Sequence, residues 1–207
     1  MFARSTRIQA EPSSIDEGID YIRKSVMPAL LRMNGCAGLS LLVDRNTGAC
    51  IATSSWVTER EMLASEMRAR DMRENATESF GGNITDVENW EIAVIHREHR
   101  TNNSTSTRCT WLHCSPSVLD RAVDIFRFGV LPECERMEGF CSASMFIDRI
   151  NGRCVTATAW DSRETMEASR TTANSLRSSA ARDIGAEIVE VAEFDLVLAH
   201  LRVPELA

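Results

Sequence analysis

Four histidines, four tryptophans and 23 lysine and arginine side chains supply most of the chemistry in this 207-residue chain. His113 is the best acid–base candidate, because an imidazole gains and loses a proton near neutral pH. On a strand it would share a face with Trp111 and Cys109, setting a proton carrier beside an aromatic wall. Arg108 lies on the same stretch, and a guanidinium can hold a carboxylate or enolate oxygen by paired hydrogen bonds. His113 and Arg108 are therefore the catalytic candidates, with Trp111, Trp90, Arg4, His96 and His200 as residues that bind a substrate. Each has a plainer reading. A histidine on an apolar strand is commonly a hydrogen-bonded structural residue, and a tryptophan a packing anchor. An arginine can pair with a structural acid such as Asp16 or Asp120, or Asp20 or Asp124. No Cys-x-x-Cys pair occurs, and Cys109 and Cys114 have only His113 near them. No metal site and no cofactor are expected from these spacings.

The elements that must position these residues come in two copies. The stretch 33–56 returns at 137–160 at a constant offset of 104 residues. Gly35 matches Gly139, Asp44-Arg45 matches Asp148-Arg149, Gly48 matches Gly152, Cys50 matches Cys154, and Trp56 matches Trp160. Arg4 and Arg108, His96 and His200, and Arg73 and Arg177 are repeat partners as well. The asymmetries carry equal weight: Arg7 and Gln9 stand where the second copy has Trp111 and His113.

In the first copy, residues 3–10 read as a strand. A helix follows, with Ser13 as N-cap and Asp16 and Glu17 in its first turn, where the helix dipole favours negative charge. Pro28 should kink that helix and Gly35 should end it. Strands over 39–43 and up to Trp56 are joined by Asn46-Thr47-Gly48. Thr58 and Glu61 fit a capping box opening a second helix that runs to about Phe80; in the second copy Ser162 and Thr165 make a weaker cap. A strand over 87–95 completes a β-α-β-β-α-β unit. The second helix carries a stripe of Met62, Ser65, Ala69, Met72, Ala76 and Phe80, whose small members either let it lie close on a sheet or leave room for a guest.

The fold class is thus α+β: two tandem ferredoxin-like βαββαβ units over 1–97 and 107–207, joined by a polar linker at 98–106. Both faces of the strands are largely apolar, so the two sheets are expected to face each other as an intramolecular α/β barrel. That arrangement makes the chain a monomeric pseudo-dimer or a homo-oligomer. A net charge of −7 without a Lys/Arg cluster argues against nucleic acid. The apolar runs are too short to span a membrane. Seven cysteines in a chain lacking a secretion signal point to reduced thiols and a cytoplasmic location.

The helix-end Met-x-Gly, the strand pair around Asp-Arg-x-x-Gly and the Trp-x-Ser/Thr before the second helix resemble the dimeric α/β-barrel superfamily. Within it they are most similar to antibiotic-biosynthesis-monooxygenase-like domains, here as a fused pair. The resemblance implies a cofactor-independent monooxygenase acting on a hydrophobic, aromatic small molecule. The alternative is a non-catalytic module that binds small molecules or serves assembly. The haem-degrading constellation is absent: its Asn would fall near Arg7 and Trp111, its Trp near Ser65 and Ser169, its haem-ligating His near Glu74 and Ser178. The polyketide monooxygenases' set of Trp, Asn, Arg and Tyr has no clear equivalent, Tyr21 being the chain's one tyrosine.

Overall fold

The computed structural model describes residues 1–207 except Asn103, Arg202 and Ala207. Asn103, inside the linker expected at 98–106, thus lies outside the described residues. The elements follow the repeat. The first copy runs β1 (Phe2–Gln9), α1 (Ile15–Tyr21), a π-helical turn (Ile22–Val26), α2 (Met27–Leu30), β2 (Cys36–Val43), β3 (Ala49–Trp56), α3 (Glu59–Ala64), α4 (Glu66–Ser79) and β4 (Asn83–Arg97). The second runs β5 (Ser106–His113), α5 (Leu119–Ile125), a π-helical turn (Phe126–Val130), α6 (Leu131–Glu135), β6 (Phe140–Asp148), β7 (Arg153–Trp160), α7 (Arg163–Ala168), α8 (Arg170–Ile184) and β8 (Glu187–Leu201).

The eight strands are hydrogen-bonded in the order β1-β3-β2-β8-β5-β7-β6-β4, which closes as a barrel. Each copy keeps the ferredoxin-like order, with the last strand beside the first. The last strands are longer than their hydrophobic patterns suggested: β4 and β8 have 15 residues each. Glu91–Arg97 of β4 pairs antiparallel with β6, and Glu187–Asp195 of β8 pairs with β5. The chain accordingly divides into two compact units, residues 1–90 with 196–203, and residues 91–195 with 204–207.

Each unit has its own core. In the first, Ile15, Leu41, Trp56, Met62 and Phe80 are fully buried; in the second, Leu119, Ile147, Trp160 and Met166 are. Both anchoring indoles satisfy their N–H locally, Trp56 on Ser54 Oγ at 3.0 Å and Trp160 on Thr158 Oγ1 at 3.3 Å. The repeated turn glycine is required twice over. Gly48 and Gly152 have φ of +79° and +67°, and an added Cβ would meet the carbonyl oxygen of Ala10 at 2.2 Å or of Cys114 at 2.0 Å.

Several local readings need correction. Ser13 is not an N-cap: residues Pro12–Ser14 form a 3-10 turn, and neither that turn nor α1 has a side-chain cap. Pro28 does not simply kink a helix. A wider π-helical turn precedes it, and Pro28 then opens α2, where its missing N–H costs little. The second cap is also the more complete of the two. Thr58 accepts from the Glu61 N–H and bonds the Glu61 carboxylate, whereas Ser162 and Thr165 form the complete reciprocal box.

Candidate functional site

A cavity in the first unit lies between strands β1, β2, β3 and the helical elements over them. Its free volume is about 40 Å³, and it opens in part to solvent. Alternation along β1 turns Arg4, Thr6 and Ile8 to this side. Ala52 and Ser54 face it from β3, where they are the register partners of Thr6 and Arg4, and Leu39 faces it from β2. The opposite wall is Ile22, Val26 and Leu30, with Ala69, Met72, Arg73 and Ala76 at one-turn spacing on α4. Ala69 and Ala76 belong to the small-residue stripe read from the sequence. Their short side chains leave volume where longer ones would close it.

Two guanidiniums enter this apolar space. Arg4 is 3% exposed and almost completely committed. Its Nε donates to Asn89 Oδ1 at 3.2 Å, Nη1 to Ser65 Oγ at 3.0 Å, and Nη2 to the Met62 carbonyl at 2.8 Å. Nη2 also lies 2.8 Å from Glu66 Oε2. Arg73 Nη2 takes the other oxygen of the same carboxylate, 2.6 Å from Oε1, while its Nη1 is buried with no hydrogen bond. One carboxylate thus serves two cations, leaving a net positive charge, and Arg73, a lining residue of the cavity, keeps a buried donor unused. Burial lowers the Arg4 pKa, Arg73 lowers it further, and Glu66 opposes both. An unpaired donor in a dry site costs free energy of order 1–3 kcal/mol, which an anionic or carbonyl oxygen would recover.

The second unit keeps the first arginine and relocates its acid. Arg108 repeats the bonds to Ser169 Oγ and the Met166 carbonyl, at 3.0 and 2.8 Å. Here position 170 on the helix is Arg and position 193 on the strand is Glu, where the first copy has Glu66 and Asn89. Glu193 consequently receives both Arg108, at 2.8 Å, and Arg170, at 2.9 Å. Arg177, the partner of Arg73, donates to Asn174 Oδ1 at 2.9 Å. Burial and the nearby Arg108 lower its pKa.

The residues singled out from the sequence are dispersed. Arg4 lines the cavity; Arg108, Trp90, Trp111, His96, His113 and His200 are not among its lining residues. Trp90 is 2% exposed and donates from its indole to Ser5 Oγ at 2.8 Å. Trp111 is half-buried in β5, and His113, the last residue of that strand, is exposed opposite Arg153 and Glu187. His200 is half-buried with its Nε2 lacking a hydrogen bond. His96 lies among carboxylates, 2.9 Å from Glu135 and 2.9 Å from Glu205. The acids offered as partners for Arg4 and Arg108 are used elsewhere: Asp16 binds Arg45, Asp120 binds Arg149, and Asp20 binds Lys24. Glu66 and Glu193 were missed. The signal was present in the repeat alignment: the acid moves from the helix, where Arg170 replaces Glu66, to the strand, where Glu193 replaces Asn89.

No protein-family model matches the chain. Among solved structures it is similar to an anthrone oxidase-like protein, with a TM-score of 0.68, 14% identity, and coverage of 100% of this chain and 95% of that one. A ferredoxin-fold protein related to antibiotic biosynthesis monooxygenases, from Listeria monocytogenes 4b F2365, gives a TM-score of 0.54 at 8% identity, covering 96% of each. These likenesses concern the fold alone. Two proteins of Mycobacterium tuberculosis H37Rv are far closer in sequence. The uncharacterized protein Rv2557 is 46% identical over 206 residues, with 100% of this chain and 92% of that protein covered. The uncharacterized protein Rv2558 is 47% identical over 207 residues, with 100% and 87% covered. The chain belongs to the family of Rv2557 and Rv2558.

Proposed function

We propose that the first-unit cavity receives a small apolar aromatic molecule bearing one acidic oxygen, and that the protein oxygenates it without a cofactor. The observation that carries this reading is the pair of guanidiniums, Arg4 and Arg73, lining a mostly apolar space and bridged by Glu66 from outside it, with Arg73 Nη1 buried and unbonded. A guanidinium beside an enol or phenol favours its oxyanion, because a positive charge lowers the cost of ionisation in a dry site. The oxyanion makes the neighbouring carbon electron-rich, and that carbon delivers electrons to O2. One oxygen atom becomes a carbonyl and the other leaves as water.

Anthrone is a suitable probe: C14H10O + O2 gives anthraquinone, C14H8O2, and H2O. Purified protein in air-saturated buffer with no added flavin, haem or metal should accelerate this conversion, and 18O2 should label the product. Arg73→Met should slow it at least tenfold. Saturable binding of anthrone without oxygen consumption would leave only the second reading.

That second reading, a binding module without chemistry, draws on one observation. No His, Cys, Tyr, Asp or Glu is among the residues lining the cavity. The wall therefore offers no proton acceptor that works near neutral pH. Oxygenation consequently requires a guest acidic enough to ionise through the arginines alone.

A further inference from the structure

We infer that His96, Glu98 and Glu135 form a binding site for a divalent transition-metal ion, with Glu205 as its positioning residue. All four belong to the second unit, so the site is separate from the cavity. His96 stands near the end of β4, Glu98 follows that strand, Glu135 ends α6, and Glu205 lies in the C-terminal segment. The ring of His96 is fixed. It stacks on Phe140 with centroids 6.3 Å apart and planes 12° from parallel. Its Nδ1 lies 2.9 Å from Glu205 Oε1. Glu205 is itself held by the Arg97 backbone N–H at 3.1 Å.

This arrangement sets the tautomer. With the ring proton on Nδ1 facing Glu205, the Nε2 lone pair points away from it. Two further carboxylate oxygens converge there, Glu135 Oε1 at 2.9 Å and Glu98 Oε2 at 3.7 Å. Three lone-pair donors therefore meet, all within 4.8 Å of one another. They repel unless a cation lies between them. A proton on Nε2 is a poor answer, because Nε2 is buried without a hydrogen bond even though Glu135 is close enough for one. The Glu135 oxygen must then lie well off the N–H direction. A second ligand of a shared metal takes that off-axis position. With metal–ligand bonds of about 2.0–2.1 Å, these separations subtend roughly 90° and 130° at the ion, within the range of distorted tetrahedral coordination.

The donor set selects the ion class. One imidazole and two carboxylates suit Zn2+ and its neighbours in the first transition row; Ca2+ and Mg2+ prefer oxygen alone. The carboxylate behind the histidine is the outer-shell partner that metal-bound imidazoles commonly have. Glu98 is 55% exposed and Glu135 36%, so an ion would keep at least one position open to water. The repeat supports a role beyond folding. His200 matches His96, whereas Leu31 and Arg202 stand at the positions of Glu135 and Glu98. The repeat thus does without either acid at the equivalent positions.

A second cluster is a weaker candidate. Cys141, His99 and Asp161 also approach one another, but the Cys141 thiol donates to Asp161 at 3.3 Å. Burial and that carboxylate push its pKa up to about 12, which keeps it a hydrogen-bond donor.

The test is calorimetric titration of the chelator-treated, dialysed full chain with ZnCl2. One equivalent should bind saturably. Glu98→Gln and Glu135→Gln should each weaken binding tenfold or more, and Glu205→Gln about ten- to a hundredfold. Asp161→Asn should leave the affinity unchanged, and thermal melts should show every variant folded. Glu98 and Glu135 are exposed enough for neutral amides to be accommodated. The assignment is overturned by lack of saturable one-equivalent binding, by unchanged affinity in both Glu98→Gln and Glu135→Gln, or by loss in Asp161→Asn instead.

Discussion

Arg73 meets Glu66 with one amino group, 2.6 Å from Nη2 to Oε1, and carries the other, Nη1, buried and unbonded at the wall of the first-unit cavity. The half-satisfied guanidinium is what separates this cavity from a packing defect. Arg4 would leave no such donor, since its bonds to Asn89, Ser65, Met62 and Glu66 occupy all three of its nitrogens. On the proposed function the two arginines divide the labour between structure and binding.

That division predicts opposite phenotypes. Arg4→Met should destabilise the protein by about 2–3 kcal/mol in urea unfolding, because it strips hydrogen bonds from a buried network. Arg108→Met should cost a similar amount, as its bonds to Ser169 and Met166 are the same. Equal stability of wild type and Arg4→Met would refute a structural role for this arginine.

Glu66→Gln should act differently. Glu66 is 49% exposed, so solvent screens its ion pairs and the loss of stability should be about 1 kcal/mol or less. Removing the carboxylate frees positive charge at the cavity. Affinity for an anionic aromatic such as 2-naphthoate should therefore rise several-fold in a fluorescence titration.

Asp148 should contribute to stability at the acid end. Burial pushes its pKa up, but bonds from Asn151, Arg153 and the backbone N–H groups of Ile150 and Asn151 outweigh burial and hold it below the ordinary 3.8. The native state thus favours the charged form. The contribution is complete above pH 3.8 and is lost as pH falls through the depressed native value. Asp148→Asn should lower the midpoint of unfolding at pH 6 and flatten its dependence on pH below 4.

The cysteines should limit stability at the alkaline end. Burial first of all pushes Cys50, Cys141 and Cys154 up to about 12, against 9.0 for a free thiol. The native state favours the neutral thiol, so stability is full below pH 9 and declines as pH rises toward 12. Melting temperatures should fall steeply over that interval, and Cys154→Ala should soften the fall. In native protein at pH 8 these three thiols should resist alkylation, while all seven react after unfolding.

The fold was legible because the repeat doubled every signal. Gly48 and Gly152, Trp56 and Trp160, and Arg4 and Arg108 each occupy matching structural positions. The lengths of β4 and β8 were less legible. Asn83 to Asp86 is mostly polar and exposed, so its hydrophobic pattern is silent although the segment is strand. The site was legible only in fragments. Arg4, Arg73 and the Ala69–Met72–Ala76 stripe stood out as types and spacings. Their meeting did not, because α4 and β1 are distant in sequence and Glu66 reads as an ordinary exposed helix residue. His113 and Trp111 drew attention as the sharpest departure from symmetry, yet difference between repeats marks position no better than sameness does. The informative difference was the exchange of Glu66 and Asn89 for Arg170 and Glu193, which needed both elements read together.

Matched naphthalenes test the proposed anion selectivity of the cavity directly. 2-Naphthoate and 2-methylnaphthalene fill similar volumes but differ in charge. Calorimetric titration at pH 7 should show the naphthoate binding at least tenfold more tightly to wild type, a difference of about 1.4 kcal/mol. Arg73→Met should abolish that preference while leaving 2-methylnaphthalene affinity unchanged, and Arg177→Met should alter neither. Equal binding of the two ligands to wild type, or a preference that survives Arg73→Met, would contradict it.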